Sequence, residues 1–147
     1  KSIKEYTKSC QNVYEPIYID ISKNLDDWTE KTNDGKLLSS CHGYFDFILN
    51  INMIHITPFI CTEMLFKNSS NLLKSNGMLF TYGPYSFNHV ISPESNVRFN
   101  EMLKRDDPNY GIRDISDLEN IANANFFSLA NIHDLPANNK LLVWKKD

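Results

Sequence analysis

Cysteine is scarce in this chain of 147 residues and forms no paired motif. Cys10, Cys41 and Cys61 are odd in number and include no CxxC spacing. Secreted disulfide frameworks use even sets of cysteines, so this pattern favours a reducing, intracellular compartment. Cys41 and His42 are adjacent, but no second pair of ligands follows at a zinc-like spacing. We therefore expect no metal site.

Long apolar runs and charge of one sign are also missing. No segment approaches the roughly 20 apolar residues of a membrane helix, and residues 1–147 contain no signal-peptide pattern. We expect no membrane partner and a cytoplasmic location, with the nucleus as the alternative. The 15 Lys and Arg residues are scattered and the net charge is -3, so the basic stripe that binds nucleic acid is absent. The partner can still be a small molecule or a protein whose reacting group enters a pocket.

The length and composition fit one domain. A chain of 147 residues with 41% hydrophobic and 22% charged residues can bury a core of its own. The sequence opens on Lys1 and not on Met. We therefore expect residues 1–147 to be a single domain that is incomplete at its N-terminus.

The run from Phe45 to Ile51 is the strongest strand signal in the chain. Apolar residues fall on both sides of its alternation, which predicts a strand in the middle of a sheet that helices cover on both faces. Ligands of open α/β sheets bind just beyond the carboxyl ends of such strands. Asn52 and His55 follow this strand directly, so they are candidate site residues.

Helix and strand patterns alternate along the rest of the chain, and Gly77 is predicted to cap the second helix. This alternation predicts a parallel sheet, and the short link between the last two strands permits only an antiparallel hairpin there. Such a mostly parallel sheet with a C-terminal hairpin is typical of the Rossmann-like α/β fold of class I methyltransferases. Strands are predicted at 17–21, 45–52, 78–82, 126–132 and 141–144, and helices begin near Ser2, Thr57, Ser92 and Ser116.

Two further groups are candidates for binding or catalysis. Tyr82, Gly83, Pro84 and Tyr85 end the strand at 78–82, where they would line a substrate pocket or simply terminate the strand with aromatic packing. His55 has a side chain whose usual pKa suits a general base at neutral pH. A histidine between Ile54 and Ile56 also fits a packed core position, so both interpretations stay open.

Polar residues near the insertion after this strand extend the predicted substrate pocket to Asn96 and Arg113. The Arg113 guanidinium suits a bidentate clamp on a carboxylate, or an ion pair with Asp107 or Asp114. Asn138 and Asn139 lie in the final hairpin turn, where asparagine suits left-handed dihedral angles. Structure is favoured over substrate contact for these two residues.

Five short motifs in this order resemble the methyltransferase-like protein 26 family. The resemblance covers nearly the whole chain and implies the class I, S-adenosylmethionine-dependent fold, with a substrate that is unknown. The motifs are Asn52-Met53-Ile54-His55-Ile56-Thr57-Pro58, Tyr82-Gly83-Pro84-Tyr85, Glu94-Ser95-Asn96 with Phe99, Asp107-Pro108 with Gly111-Ile112-Arg113-Asp114, and Pro136-Ala137-Asn138-Asn139.

The resemblance also implies where the cofactor S-adenosylmethionine would bind. Asp20 and Ile21 would end the third strand of the class I sheet, beside the adenine or ribose. Asn52 and Met53 would end the fourth strand, beneath the cofactor. The alternatives are a loop carboxylate that caps a turn at Asp20 and a strand-end amide at Asn52 that satisfies loose backbone groups.

The chain departs from the family pattern at its beginning. The strands numbered 1 and 2, with the Gly-rich loop that approaches the cofactor, are absent, and the five glycines form no GxG. In the class I order 3-2-1-4-5-7-6 this loss would expose three or four large apolar side chains, or about 5–12 kcal/mol at roughly 1.5–3 kcal/mol each. Whole domains are stable by only about 5–15 kcal/mol. We therefore expect an upstream segment in the natural protein and no activity from this chain alone.

Two functions remain in competition. The first is an S-adenosylmethionine-dependent methyltransferase whose acceptor is an unknown small molecule or protein. The second is a catalytically inactive methyltransferase fold that acts as a binding or scaffold module or as a truncated isoform. A nicotinamide-dependent oxidoreductase is disfavoured because its fingerprint is missing and the final hairpin does not suit it.

Overall fold

Six strands and four α-helices form the regular structure of residues 3–147, the part of the chain that this computed structural model describes. Ser2, near which the first helix is predicted to begin, lies outside this range. The elements in chain order are α1 (Ile3–Thr7), β1 (Phe45–Ile51), α2 (Phe59–Leu72), β2 (Leu73–Gly83), β3 (Tyr85–Ser86), α3 (Glu94–Asp106), β4 (Arg113–Asp114), α4 (Ile115–Ala124), β5 (Phe127–Leu135) and β6 (Asn139–Lys146).

The central sheet has the order β1-β2-β6-β5. Strand β1 pairs with β2 in parallel, whereas β6 is antiparallel to both of its neighbours, β2 and β5. Three strands therefore run in one direction, and the last two form the predicted antiparallel hairpin. This arrangement matches the 4-5-7-6 part of the class I order. A second, two-stranded parallel sheet joins β3 to β4.

The main core lies between the central sheet and helices α2 and α4. Leu79 of β2 and Trp144 of β6 are paired across the sheet and fully buried. Phe66 of α2 packs edge-on against the Trp144 ring at 5.1 Å between centroids. The indole Nε1 donates a hydrogen bond of 3.0 Å to Thr81 Oγ1, which satisfies both buried polar groups. Alternate residues of β2 therefore face the helices, as a strand periodicity of two requires.

The strand predicted at 17–21 is wrong, because this segment has no regular structure. A strand needs a neighbour for its backbone hydrogen bonds, and no described strand pairs with these residues. Ile19 and Ile21 are instead partly buried and pack against a cluster of buried residues that includes Leu25 and Trp28. The central position predicted for β1 is also wrong among the described residues, since β1 is an edge strand.

Two predicted helix ends differ from the structure. Helix α2 ends at Leu72, and Asn76, not Gly77, takes the left-handed conformation with φ of 63°. Gly77 lies within β2, where a Cβ would come within 2.9 Å of the Lys74 carbonyl oxygen. Asp114, not Ser116, caps α4, because its carboxylate accepts the Ser116 N–H. Within residues 3–147 no helix has the length and apolarity needed to cross a membrane.

Candidate functional site

A cavity of about 460 Å³ lies beyond the carboxyl ends of β1 and β2. Asn52 directly follows β1 and Pro84 directly follows β2, so both strands supply its floor. Helix α3 and the turn between β5 and β6 supply the remaining wall. The lining residues are Asn52, His55, Ile56, Pro84, Ser95, Asn96, Phe99, Ala137 and Asn139.

Asn52 forms the corner between β1 and this cavity. Its φ of 59° is left-handed, a conformation that asparagine tolerates better than most residues. Its backbone N–H donates to the Tyr82 carbonyl oxygen at 2.9 Å, which extends the pairing of β1 with β2 by one residue. A single 3-10 turn, Met53–His55, follows this corner. The sharp reversal places His55 beneath the same end of the sheet.

His55 is a buried, neutral histidine. Its side chain is 1% exposed and packs edge-on against Tyr85, with 5.2 Å between ring centroids. Burial, with the nearby positive charge of Arg113, lowers its pKa from 6.5 to about 4. Neither ring nitrogen has a hydrogen-bond partner among the described residues, and both are sealed from solvent. Its role as a general base stays a prediction, and in this conformation the ring would have to turn toward the cavity.

Gly83 makes room for the His55 ring. A Cβ at this position would lie 2.3 Å from His55 Nε2 and 3.1 Å from Asn52 Oδ1. Real Cβ contacts do not occur at such distances, so either the ring or the backbone would have to move. The φ of 156° is also one that residues with a side chain rarely adopt. Glycine at the end of β2 is therefore a requirement of the packing between Asn52 and His55.

Arg113 lies beside this site and outside the cavity lining. Its Nε donates to the Ile54 carbonyl at 2.8 Å, and its Nη2 donates to the carbonyls of Thr57 at 2.6 Å and Asn109 at 3.2 Å. The guanidinium also stacks over the Phe59 ring at 5.2 Å, and burial lowers the Arg113 pKa. Arg113 thus holds the chain on both sides of His55. Its predicted role as a substrate clamp stays a prediction.

The two tyrosines of the predicted pocket do not line the cavity. Tyr82 is half-buried in β2, and Tyr85 is 2% exposed in β3. The Tyr85 hydroxyl has no hydrogen-bond partner among the described residues, and burial raises its pKa. The structure therefore brings Asn52, His55, Pro84 and Asn96 together, while Tyr85 supports the cavity from behind His55.

The far wall contains residues that sequence reasoning did not select as site residues. Ser95 and Phe99 come from α3, Ala137 comes from the β5–β6 turn, and Asn139 is the first residue of β6. Asn138 Nδ2 donates to Ser95 Oγ at 3.2 Å and joins the turn to the helix. The available signal was topological. Since β5 runs in the same direction as β1 and β2, the turn that follows it must lie at the same edge of the sheet.

The predicted cofactor residues divide between separate places. Ile21 and Met53 line a second cavity of about 510 Å³, which is mostly apolar and also contains Asn50. Asn50 Oδ1 is buried without a hydrogen-bond partner among the described residues. Asp20 lines neither cavity, and its carboxylate accepts the backbone N–H and the hydroxyl of Ser22 at 3.1 and 2.6 Å. The Ser22 hydroxyl bond is the main reason that the Asp20 pKa is lowered.

No group of three or more His, Cys, Asp or Glu side chains in residues 3–147 is arranged to hold a metal ion. Cys41 and Cys61 are buried free thiols, and Cys10 is an exposed one. The chemistry available at the first cavity therefore rests on amides, one hydroxyl and one neutral imidazole.

Three solved structures share the fold of this chain. The PH0226 protein from Pyrococcus horikoshii OT3 is 18% identical with a TM-score of 0.63, over 98% of this chain and 65% of that chain. A putative O-methyltransferase from Nostoc punctiforme PCC 73102 is 20% identical with a TM-score of 0.62, over 69% of this chain and 32% of that chain. CalO1, a methyltransferase in calicheamicin biosynthesis in its SAH-bound form, is 10% identical with a TM-score of 0.59, over 69% and 30%.

These likenesses establish a methyltransferase-like fold, and their low identities establish no more than the fold. The chain spans only about 30% of the length of the first solved structures that it matches. Residues 1–146 match the family described as "Protein of unknown function (DUF938)". Because that match covers nearly every residue, the chain belongs to the DUF938 family.

Proposed function

We propose that the natural protein is an S-adenosylmethionine-dependent methyltransferase, related to the methyltransferase-like protein 26 family, with a small-molecule or protein acceptor in the first cavity. One observation carries the proposal. In a methyltransferase-like fold, the ends of β1 and β2 and the β5–β6 turn converge on one cavity that both polar and apolar side chains line. This is the edge at which open α/β sheets bind their ligands. The buried free thiols of Cys41 and Cys61 support an intracellular location.

The described residues fit one side of such a cofactor. The Asn52 amide makes no side-chain hydrogen bond among the described residues, so it is available to a ligand. Gly83 has no Cβ, so the His55 ring can pack against the end of β2 beside Asn52. Met53 follows Asn52 in the chain, and its polarizable thioether lines the second cavity. When bound, the cofactor supplies an electrophilic methyl group. No GxG loop occurs in the chain, so these residues provide only the wall at β1 and β2.

Catalysis in this proposal rests on positioning. Correct alignment of a nucleophile with a reactive carbon can lower a barrier by about 7–11 kcal/mol without a dedicated base. Asn52 and Asn96 orient polar groups in the cavity, and Phe99 and Pro84 exclude water from it. Arg113 and Tyr85 hold His55 in place beneath them. A rigid set of supports of this kind is what a positioning mechanism needs.

We further propose that β1 is an interior strand in the natural protein, within a single domain larger than residues 1–147. Phe47, Leu49 and Ile51 are 64%, 61% and 57% exposed on one face of β1, although all three are large and apolar. Covering each would contribute roughly 1.5–3 kcal/mol. A long, apolar edge strand is also a site of aggregation unless another element covers it. Both considerations support a class I sheet in which a further strand pairs with the free edge of β1.

Calorimetric titration of the natural, full-length protein with S-adenosylhomocysteine tests the cofactor assignment. We expect binding in the micromolar range and a weakening of roughly two- to tenfold in Asn52→Ala, since one hydrogen bond contributes about 0.5–1.5 kcal/mol and 1.4 kcal/mol corresponds to tenfold. Asn131→Ala is the matched control, because Asn131 is exposed on β5 and lies outside the cavity lining.

Three outcomes would contradict the proposal. Absence of heat at high-micromolar ligand would favour the binding or scaffold module, which keeps the fold and loses the cofactor. Equal weakening by Asn52→Ala and Asn131→Ala would place the cofactor away from the first cavity. A protein that binds S-adenosylhomocysteine but loses no affinity in either variant would also remove Asn52 from the site.

A further inference from the structure

We propose that the first cavity selects an uncharged methyl acceptor that carries a hydroxyl group on an apolar, ring-sized body, and that it rejects carboxylates and ammonium groups. This inference rests on the proposed function and adds to it the chemical class of the acceptor. In the transfer, the hydroxyl oxygen bonds to the methyl carbon, the carbon–sulfur bond of the cofactor breaks with its electron pair left on sulfur, and the hydroxyl proton passes to solvent.

The first argument is the absence of charge from the lining. None of the nine side chains that line the cavity is a carboxylate, an ammonium or a guanidinium group. His55 is the only titratable member, and its burial keeps it neutral at physiological pH. An ion that enters such a site loses its hydration without gaining a partner of opposite charge, which costs several kcal/mol. The lining therefore favours ligands without formal charge.

The charged residues next to the cavity are already occupied. Glu94 precedes Ser95 on α3, and its carboxylate lies 3.6 Å from the Arg98 guanidinium. Lys140 follows Asn139, and its ammonium pairs with Asp134. The Arg113 guanidinium donates to three backbone carbonyls. Each of these three charged groups therefore already has an ion-pair or hydrogen-bond partner among the described residues.

The polar groups of the far wall suit a hydroxyl. Asn96 donates its amide N–H to the Ser92 carbonyl at 3.0 Å, and a carbonyl can only accept, so Asn96 Oδ1 must point elsewhere. This oxygen accepts no hydrogen bond from the described residues. Ser95 Oγ accepts from Asn138 Nδ2, which leaves its own O–H free to donate. A hydroxyl both donates and accepts, so one such group can satisfy both neighbours.

The remaining walls are apolar and set the shape of the ligand. Phe99, Ile56 and Pro84 bound the cavity around its polar groups. Its volume of about 460 Å³ falls in the usual range for small-molecule sites and exceeds the need of a single hydroxyl. A ring attached to the hydroxyl would cover these walls, and burial of its apolar area would add to the affinity.

Three probes that share one ring and differ in charge test this inference: benzyl alcohol, benzoate and benzylammonium. Each is titrated without cofactor into the full-length protein labelled with 15N, and the side-chain amide resonances of Asn52 and Asn96 are followed. We expect benzyl alcohol to bind at least about tenfold more tightly than either ion and to shift both amides. Equal or tighter binding of either ion, or no shift at these amides with benzyl alcohol, would overturn the inference.

Asn52→Asp provides a second test because it places one negative charge in the lining with little change in shape. Asn52 has a left-handed φ that aspartate also tolerates. We expect the affinity of the Asn52→Asp protein for benzylammonium, relative to that for benzyl alcohol, to rise by at least about fivefold. Asn131→Asp on exposed β5 should leave this ratio of affinities unchanged. Equal shifts in both variants would contradict the inference.

The outcomes separate this inference from the cofactor assignment, because no probe experiment contains S-adenosylhomocysteine. If the protein ranks benzyl alcohol first but fails to bind S-adenosylhomocysteine, the methyltransferase proposal fails and the uncharged ligand class stands. If it binds S-adenosylhomocysteine but prefers an ion, only the acceptor class fails.

Discussion

Replacement of Gly83 by alanine should disrupt the packing on which the candidate site depends. The added Cβ would lie 2.3 Å from His55 Nε2, and the ring cannot retreat freely because it is 1% exposed and packed against Tyr85. Overpacking of this kind costs about 1–3 kcal/mol, and the φ of 156° adds strain. Reduced freedom of the unfolded chain returns only about 0.4–1 kcal/mol. We therefore expect a net loss of about 2 kcal/mol.

Urea unfolding of the full-length protein measures this loss. At a slope of about 2 kcal/mol per molar urea, the midpoint should fall by about 1 M. Gly43→Ala is the matched control, since its φ of 60° is left-handed but no atom lies within 4 Å of the added Cβ. The Gly43→Ala variant should lose about 1 kcal/mol or less of unfolding free energy, because the substitution strains the backbone without causing a clash.

A double-mutant cycle isolates the contact with His55. In a His55→Ala background the clashing ring is gone, so Gly83→Ala should cost at least about 1 kcal/mol less than in the wild-type background. An equal loss in both backgrounds would refute the reasoning, because the cost would then come from the backbone conformation of Gly83 alone.

Three further predictions follow from buried polar groups. The pKa of His55 is about 4 in the folded state and 6.5 in the unfolded state, so its contribution to the free energy of unfolding is fully present above pH 6.5 and is lost as pH falls toward 4. The loss amounts to about 3 kcal/mol and should be missing when the unfolding of His55→Gln is measured against pH. An unchanged slope in this variant would contradict the prediction. Asn68 is 1% exposed; its Oδ1 accepts the Leu25 N–H, and its Nδ2 donates to the Lys23 carbonyl. Asn68→Ala should therefore lower the free energy of unfolding by about 2–3 kcal/mol and speed limited proteolysis within residues 11–24. Unchanged cleavage would show that Asn68 does not hold this segment in place. Arg113→Lys keeps the positive charge but loses the paired guanidinium hydrogen bonds to backbone carbonyls. Thermal unfolding should show a loss of stability of about 1–3 kcal/mol, against less than about 0.5 kcal/mol for the exposed control Arg98→Lys. Equal losses in the two variants would contradict the structural role of Arg113.

The sheet could be predicted from sequence because its signals are local. A short turn between 126–132 and 141–144 allows only a hairpin, and the structure has β5 and β6 antiparallel. The position of Asn52 and Pro84 at one edge also follows from local signals, since parallel strands end on the same side. Most residues that line the cavity lie within the motifs that carry the resemblance, and these motifs are likewise local stretches of sequence.

Other features depend on tertiary context that no local pattern contains. Ile17–Ile21 has the composition of a strand, but strand formation requires a neighbouring edge, and this segment has none among the described residues. Arg113 carries no sign in the sequence that its partners are backbone carbonyls of residues 54, 57 and 109. His55 lies in an apolar stretch, yet only the folded structure shows that Gly83 covers its ring.

The central claim is that the ends of β1 and β2 frame a methyl-transfer site, and the most direct test is the place where S-adenosylhomocysteine binds. Backbone amide resonances of the full-length 15N-labelled protein should shift at Asn52 and Gly83 during a titration, in proportion to occupancy. Resonances of exposed β5, such as that of Asn131, should not move. Binding that leaves Asn52 and Gly83 unchanged, or no binding at all, would contradict the account.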